Sequence, residues 1–349
     1  MESTFAIAGR RIGPEEPPYV VAEMSGNHNG ELGRALALID AAKRAGADAV
    51  KLQTYTADTI TIDADGPEFR IEGGLWNGRT LYELYGEAHT PWDWHEALFA
   101  RGREIGITVF SAPFDPTAVD LLERLNAPAH KIASFEIVDL PLIERVARTG
   151  KPMIISTGMA TRAEIGEAVD TVRATGAAAP LLLHCVSGYP TPAADANLRS
   201  IPDLARAFDA PVGLSDHTLG IAASVAAVAL GAVLIEKHVT LRRADGGPDA
   251  AFSLEPEELA QLVGGVRDGW AALGEVKRDI APSERGNLKF RRSLYVVRDL
   301  RAGDRLTADH VRSIRPGCGL PPKHLPQVIG RLAKIDLKRG TALRWDHLT

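Results

Sequence analysis

Eight short apolar runs in this sequence end in polar or charged side chains that could do chemistry. In chain order these side chains are Glu23, Asn27, His28, Lys51, Gln53, Ser111, Lys131, Ser134, Glu136, Ser156, Thr157, His184, Ser187, Tyr189, Ser215, Asp216, His217, Glu236, Lys237 and His238. A lysine or a carboxylate in an apolar stretch is costly unless it is paired or functional. We therefore expect many of them to share one site.

Lysines and hydroxyls suggest the first chemistry of this site. Lys51 and Lys131 each lie in an otherwise apolar run, and several serines follow neighbouring runs. Ammonium groups supply charge, and hydroxyls donate hydrogen bonds to oxygens. The combination predicts a site for an anion, either a phosphate or a carboxylate.

Histidines and carboxylates suggest two further roles. His217 and His238 follow consecutive runs, which favours a divalent metal of the Mn, Co, Zn or Mg type with open positions for substrate. A purely structural role for both histidines is the alternative. Glu23 and Glu136 could move protons or bind sugar hydroxyls.

Strand and helix patterns alternate along the first 280 residues, and they must position these side chains. The predicted strands are 19–22, 49–52, 108–111, 130–133, 153–156, 181–184, 212–215 and 233–236. Nearly continuous apolar character is typical of parallel strands buried on both faces. Strand then helix, eight times, predicts an α/β fold, the (β/α)8 TIM barrel, whose chemistry lies at the carboxyl ends of the strands. A doubly wound sheet is the alternative, but the first strand lacks its glycine-rich phosphate turn.

Two other regions interrupt or follow the alternation. The connection from Tyr55 to Thr90 is long and contains Trp76, Tyr82 and Tyr85, and a long loop on the active face of a barrel is typically a lid or a binding loop. Beyond residue 280 the pattern becomes short strands and glycine turns. We therefore predict a barrel domain at 1–280 and a small second domain at 281–349.

Composition excludes several classes of protein. The chain has 349 residues, of which 45% are hydrophobic and 24% charged, with a net charge of −5. Neither a basic stripe for nucleic acid nor a polybasic segment for a membrane surface is present in the sequence. Only two cysteines occur, far apart, and the first residues do not read as a signal peptide. We expect a protein of the cytoplasm.

Seven phrases in order resemble the sialic acid synthase family, enzymes that condense phosphoenolpyruvate with hexosamine derivatives. They are "AEMSGNHNG", "AGADAVKLQTY", "KIASFE", "IISTGMA", "GLSDHTLG", "IEKHVT" and "SIRPGCGLPP". The resemblance covers essentially the whole chain and implies a C-terminal antifreeze-like (SAF) domain. Phrases such as "RADGGPDAAFSLEP" and "FRRSLYVV" are most similar to the pseudaminic acid synthase branch of that family.

The resemblance implies a role for particular residues. Phosphoenolpyruvate contacts are implied for Lys51, Lys131, Ser134, Ser156 and Ser215, with Ser111 as a further hydroxyl. His217 and His238 match metal ligands for Mn²⁺, Mg²⁺ or Co²⁺. Positions around the sugar match Gln53, Glu136, Tyr189, Asp249 and Phe290, and Ser187 is a further candidate for substrate binding. Arg315 matches an arginine that reaches the active site of a partner subunit, which implies a domain-swapped homodimer.

The branch implies a substrate, and alternatives stay open. The implied sugar is the diacetamido-trideoxyhexose 2,4-diacetamido-2,4,6-trideoxy-β-L-altropyranose. Two departures from the family pattern are Ala112, where threonine is common, and Ser187, where the neuraminate branch has asparagine. An N-acetylneuraminate or legionaminate synthase, an aldolase with Lys51 or Lys131 as Schiff base, and an inactive carbohydrate-binding barrel are the other readings.

Overall fold

The computed structural model describes residues 5–277 and 279–349, and within them eight parallel strands close into a barrel. A small hairpin, β1 (Ala6–Ile7) and β2 (Arg10–Arg11), precedes it. The barrel strands are β3 (Tyr19–Glu23), β4 (Ala49–Thr54), β5 (Thr108–Pro113), β6 (His130–Ile132), β7 (Met153–Ser156), β8 (Leu181–Cys185), β9 (Val212–Asp216) and β10 (Leu234–His238). Each pairs with the next, and β10 pairs with β3 to close the ring. The predicted TIM barrel is confirmed.

Helices cover the outside of the barrel. They are α1 (Leu32–Ala45), α2 (Ala57–Ile60), α3 (Leu81–Ala88), α4 (His95–Ile105), α5 (Pro116–Arg124), α6 (Leu140–Ala147), α7 (Arg162–Ala174), α8 (Ser200–Phe208), α9 (Ala222–Ala229) and α10 (Pro256–Leu273). Local sequence starts and ends them: Asp115 caps α5 through the backbone N–H of Thr117, 2.7 Å from its carboxylate. At the end of α1, Gly46 adopts the left-handed φ of 87° that favours glycine.

Alternate residues of each barrel strand face two different cores. Tyr19, Val21 and Phe110 belong to a cluster inside the barrel, whereas Val20 and Val109 belong to the larger cluster between strands and helices. A strand with both faces buried has few polar positions except at its ends. The interior positions at the carboxyl ends of the strands are therefore where this fold can place chemistry.

The N-terminal hairpin closes the opposite end of the barrel. Phe5, Ile7 and Ile12 are buried in the interior cluster with Tyr19, the first residue of β3. Such a plug excludes water from the barrel interior and leaves the carboxyl ends of the strands as its open side.

The chain divides into two compact units, Met1–Gly274 and Glu275–Thr349. The second unit contains an antiparallel pair, β11 (Ser293–Val296) with β12 (Val311–Ile314), and a short helix, α11 (Leu325–Val328). Its own apolar core includes Leu294, Leu306, Val311 and Leu343.

Within residues 5–277 and 279–349, none of the helices is long and apolar enough to cross a membrane. The apolar run at 221–235 supplies α9 and the start of β10, as two buried elements of the barrel.

Candidate active site

A cluster of four buried charges lies inside the barrel at the carboxyl ends of its strands. Lys51 Nζ is 3.1 Å from Glu23 Oε2 and 3.4 Å from Glu236 Oε1. Lys131 Nζ lies 3.4 Å from the same Glu236 oxygen. The register explains this proximity, because Glu23 pairs with Lys51 across β3 and β4. The four residues are at most 4% exposed, so each charge depends on the others for compensation.

The carboxylates of this cluster differ in acidity. Burial opposes ionisation of Glu236, but the charges of Lys131 and Lys51 lower its pKa to about 2. Burial raises the pKa of Glu23, although Lys51 opposes the shift. Burial also lowers the pKa of Lys131 despite the attraction of Glu236. Glu236 is therefore a firmly ionised carboxylate that holds two ammonium groups together, and hydrogen bonds from such groups suit an anionic ligand.

Serine hydroxyls surround these ammonium groups. Ser215 Oγ donates to Glu236 Oε1 at 3.0 Å. Ser156 Oγ is buried and has no hydrogen-bond partner among the described residues. A buried hydroxyl without a partner is costly, and a ligand oxygen would satisfy it.

A glycine brings two further serines together. Gly158 N donates to Ser134 Oγ at 3.2 Å. A Cβ at Gly158 would lie 2.7 Å from that oxygen and still closer to Ser187 Oγ. The absence of a side chain at this position therefore leaves room for both hydroxyls beside the backbone N–H.

Two histidines lie beside the charge cluster with their ring centroids 5.3 Å apart. His217 Nδ1 donates to the carbonyl of Val186 at 3.0 Å, which leaves Nε2 as the coordinating nitrogen. His238 Nδ1 is buried without a hydrogen-bond partner in the described part of the chain, and Asp249 Oδ2 is 3.7 Å away. Burial lowers the pKa of His238 well below its usual value, so the ring is neutral, as a metal ligand must be.

This histidine pair fits a divalent cation with open coordination positions. Over residues 5–277 and 279–349, no group of three or more His, Cys, Asp or Glu side chains is arranged to hold a metal. Two protein nitrogens would leave the other positions to water and substrate oxygens. His238 Nδ1, which is buried without a partner among the described residues, belongs to a ring whose centroid lies 5.3 Å from that of His217, and this observation supports the fit.

Further groups suited to a polar organic substrate lie around the charge cluster and the histidines. Gln53 Nε2 donates to Glu23 Oε1 at 2.8 Å. The Tyr189 ring lies 4.5 Å from the His217 ring, between centroids. Asp249 is buried and accepts a hydrogen bond from Ser25 Oγ. Glu136 Oε2 is buried, and among the described residues it has no partner.

The loop "AEMSGNHNG" is explained by three different roles. Glu23 belongs to the charge cluster. Asn27 Nδ2 donates to the carbonyl of Val239 and to Ser253 Oγ, both at 2.8 Å, so it joins the first strand's loop to the last strand's loop. His28 Nδ1 accepts from Gly30 N at 3.1 Å and shapes the turn.

Comparison with known proteins shows the family of the chain. Residues 38–278 match the model of the NeuB family, and residues 291–349 match that of the SAF domain. The chain belongs to the NeuB family.

Individual relatives cover nearly the whole chain. A pseudaminic acid synthase from Helicobacter pylori is 43% identical over 95% of this chain and 98% of its own. An N,N'-diacetyllegionaminic acid synthase from Legionella pneumophila is 36% identical over 95% of this chain and 94% of its own. A solved structure of an N-acetylneuraminic acid synthetase from Leptospira borgpetersenii superimposes with a TM-score of 0.73 at 33% identity, covering 83% of this chain and 96% of that one.

One residue predicted for the site of this NeuB-family chain does not reach it. Ser111 Oγ lies 2.6 Å from Thr54 Oγ1, which is 2.8 Å from Nε2 of His95 on α4. Ser111 thus faces the helix layer, where its hydroxyl is already bonded. Its neighbours Phe110 and Ala112 occupy the interior face, so the prediction of a substrate contact by Ser111 is wrong because of strand alternation.

Two other predicted residues lie in the unit 275–349. Phe290 ends the 3-10 segment Pro282–Phe290, and Arg315 follows β12. Both side chains are exposed. Their contribution to a NeuB-family site stays a prediction.

Sequence reasoning gave no role to Glu236, which the structure places at the centre of the charge cluster. The sequence could have placed Glu236 at the site, because it lies two residues before His238 in the same strand and therefore on the same strand face. Lys237, on the other face, forms a buried ion pair with Asp216 at 2.9 Å and donates to the carbonyl of Thr218 at 2.6 Å.

Lys237→Met is expected to destabilise this barrel by about 3–5 kcal/mol, because Asp216 would keep a buried charge without its partner. Urea denaturation measures the change. Arg162→Met is the control, since its ion pair with Asp203 is exposed and should contribute less than about 1 kcal/mol. Equal losses in both variants would contradict a special role for the buried pair.

Glu136→Gln is expected to change how stability depends on pH. Burial raises the pKa of Glu136 from 4.5 to about 7, so the folded protein holds a proton that the unfolded chain releases between these values. The free energy of unfolding of the wild type should therefore fall by about 2–3 kcal/mol more than that of the variant between about pH 5 and about pH 8. Denaturation at both pH values measures this, with Glu167→Gln as the exposed control. Parallel profiles for wild type and Glu136→Gln would refute it.

Proposed function

We propose that this chain is a pseudaminic acid synthase. It condenses phosphoenolpyruvate with 2,4-diacetamido-2,4,6-trideoxy-β-L-altropyranose and water to give pseudaminic acid and phosphate, with cleavage of the C–O bond. The observation that carries the proposal is the pair of buried lysines around Glu236, together with the buried Ser156 hydroxyl, which has no partner among the described residues, and the two neighbouring histidines. The 43% identity to a synthase of this name supports the branch.

The lysines and serines bind phosphoenolpyruvate in this proposal. Lys51 and Lys131 neutralise its carboxylate and phosphate, while Ser134, Ser156 and Ser215 donate hydrogen bonds to its oxygens. Holding the anion in one orientation replaces an encounter in solution by a positioned reaction, and this can supply several kcal/mol of the barrier. Glu236 fixes both ammonium groups before the substrate arrives.

The open-chain sugar lies on the histidine side of phosphoenolpyruvate. His217 and His238 would hold Mn²⁺, Mg²⁺ or Co²⁺, which supplies Lewis-acid polarisation of the aldehyde when bound. Glu23, Gln53, Glu136, Ser187, Tyr189 and Asp249 are our candidates for sugar contacts. Phe290 is a further candidate for a sugar contact, and Arg315 would be supplied by the SAF domain of a partner subunit in a domain-swapped homodimer.

The bond changes balance without a redox partner. Carbon 3 of phosphoenolpyruvate attacks the aldehyde carbon and forms the new C–C bond, and the aldehyde oxygen takes up a proton. Water adds at carbon 2 and loses a proton. The tetrahedral centre then expels phosphate, which takes up the proton that the carbon 2 hydroxyl releases as it becomes the carbonyl, and the resulting 2-keto acid closes to its ring. Glu23 and Glu136 are our candidates for carrying these protons.

Phosphate release tests this reaction. With Mn²⁺, the altro-configured diacetamido sugar should support release from phosphoenolpyruvate, and EDTA should abolish it. Bridging ¹⁸O in phosphoenolpyruvate should appear in the phosphate, as C–O cleavage requires. If phosphate is released only with N-acetylmannosamine, or only with a gluco or manno diacetamido isomer, the chain belongs instead to the neuraminate or legionaminate branch.

The same assay separates the other classes. Irreversible labelling by borohydride in the presence of a keto substrate would favour an aldolase with a lysine Schiff base. No release with any sugar from folded protein would favour a carbohydrate-binding barrel. We propose a cytoplasmic location, because both cysteines of the chain, Cys185 and Cys318, are free thiols.

A further inference from the structure

Trp76 ties three active-face loops together. It lies in the long connection between β4 and α4, and its indole Nε1 donates to the carbonyl of Pro248 at 2.8 Å, in the loop after β10. Its ring centroid is 5.6 Å from that of Tyr189, in the loop after β8. A half-buried tryptophan from one loop thus contacts two distant loops at the carboxyl ends of the strands.

The loop holds this tryptophan in place. Trp76 lies at the tip of a turn closed by two backbone hydrogen bonds at 2.9 Å, from Ile71 N to Arg79 O and from Gly78 N to Ile71 O. Further along, α3 packs Tyr85 against Tyr55 with ring centroids 5.7 Å apart. Because the turn and the helix are both anchored, the indole presents a fixed surface.

An aromatic row connects this surface to the proposed metal ligands. The Tyr189 ring lies 5.3 Å from Phe252 and 4.5 Å from His217, which in turn is 5.3 Å from His238. Trp76 is the outermost ring of the row, one ring beyond Tyr189. Pro248, which accepts the hydrogen bond from Trp76, is followed in the chain by Asp249, a buried carboxylate 3.7 Å from His238.

The proposed sugar matches this row in length and polarity. Its aldehyde carbon must lie at the histidines, and five C–C bonds of about 1.5 Å carry carbon 6 roughly 6 Å away. Between ring centroids the row extends 4.5 Å from His217 to Tyr189 and a further 5.6 Å to Trp76, so a group about 6 Å from the histidines falls in its outer half. The far end of a 2,4-diacetamido-2,4,6-trideoxy sugar is a methyl group beside an acetamido methyl, and aromatic faces favour apolar groups over hydroxyls.

We propose that Trp76 is the specificity-determining residue for the apolar end of the sugar. Its indole packs on the carbon 6 methyl and selects 6-deoxy sugars over 6-hydroxy sugars. The inference rests on the proposed function, since it needs the aldehyde end at the histidines. The hydrogen bond to the carbonyl of Pro248 holds the indole in place, and the face of the ring contacts the carbon 6 methyl group of the sugar.

A matched pair of sugars tests the contact. The altro-configured diacetamido 6-deoxy sugar is compared with its 6-hydroxy counterpart in wild type, Trp76→Ala, Trp76→Phe and Leu75→Ala. In Trp76→Ala, KM for the 6-deoxy sugar should rise roughly tenfold to a hundredfold while KM for phosphoenolpyruvate stays within about twofold, so the preference for the 6-deoxy sugar collapses. Trp76→Phe keeps a ring and should retain most of the preference. Leu75, an exposed neighbour in the same turn, is the control.

Three results overturn the inference. Equal loss with both sugars in Trp76→Ala would make Trp76 a structural brace, as would an equal rise in KM for phosphoenolpyruvate. Wild-type turnover of the altro sugar decides the proposed function by itself. If the wild type turns over neither sugar, binding of the two unreactive alditols is measured by calorimetry. A wild type that binds both equally, or neither, excludes the selecting contact.

Discussion

Replacing Lys131 by methionine is expected to lower kcat/KM for phosphoenolpyruvate by roughly 10³-fold, or about 4 kcal/mol of transition-state stabilisation. Lys131 is 2% exposed, and its carboxylate partner at 3.4 Å also serves Lys51. An incoming phosphate or carboxylate would therefore meet an ammonium group that water does not screen. Losing a charged hydrogen bond inside a protein costs more than losing one at the surface.

Steady-state phosphate release with varied phosphoenolpyruvate measures this effect, and calorimetry of phosphoenolpyruvate binding separates KM from affinity. Lys151→Met is the matched control, because its ion pair with Glu123 at 2.9 Å is partly exposed. That variant should stay within about threefold of the wild type. A reduction of less than about tenfold in Lys131→Met would remove this lysine from the anion site.

The barrel could be predicted because its strands are apolar on both faces and its connections are helical. Strand β7 was predicted with its observed bounds, and others extend one or two residues further, as β4 does to Thr54. The polar residues expected after the strands are thus the last residues within them. This shift matters, since a residue within a strand must point to one face or the other.

The sequence could not show which side chains of a strand face the barrel interior and which face the helices. In "TVFSAP" both faces are apolar, so alternation does not show whether Phe110 or Ser111 faces the interior. Lys51 and Gln53 could be assigned together because a two-residue step keeps them on one face. The bond from Trp76 to Pro248 spans 172 residues, and no local pattern encodes such a contact.

The same limit applies to the central carboxylate. Glu236 could be placed on the face of His238, but its three partners come from β4, β6 and β9. Only closure of the barrel brings these strands around one oxygen. The types of residue at the site were therefore predictable, whereas their pairing depends on the closed topology.

His217→Asn is expected to raise the Kd for Mn²⁺ by at least about a hundredfold and to lower phosphate release by roughly 10³-fold at a fixed metal concentration. The wild-type ring is held by its Nδ1 bond to Val186 O, which leaves Nε2 to coordinate, and the ring centroid lies 5.3 Å from that of His238. Asparagine cannot place a nitrogen lone pair there. Electron paramagnetic resonance of free Mn²⁺ measures affinity independently of turnover.

His184→Asn is the control that separates a ligand from a structural histidine. His184 is also buried at a strand end, but its Nε2 lies 2.7 Å from the carbonyl oxygen of Ala196. It is adjacent to Cys185 in β8, and because Cys185 faces the interior of the barrel, His184 faces the helices. Its replacement can cost stability but should leave Mn²⁺ affinity within about twofold of the wild type. If both variants bind Mn²⁺ like the wild type, the paired histidines are structural. If only His217→Asn loses the metal, the two neighbouring strand ends β9 and β10 hold the cation, and the anion and the sugar aldehyde meet between them and the lysines of β4 and β6.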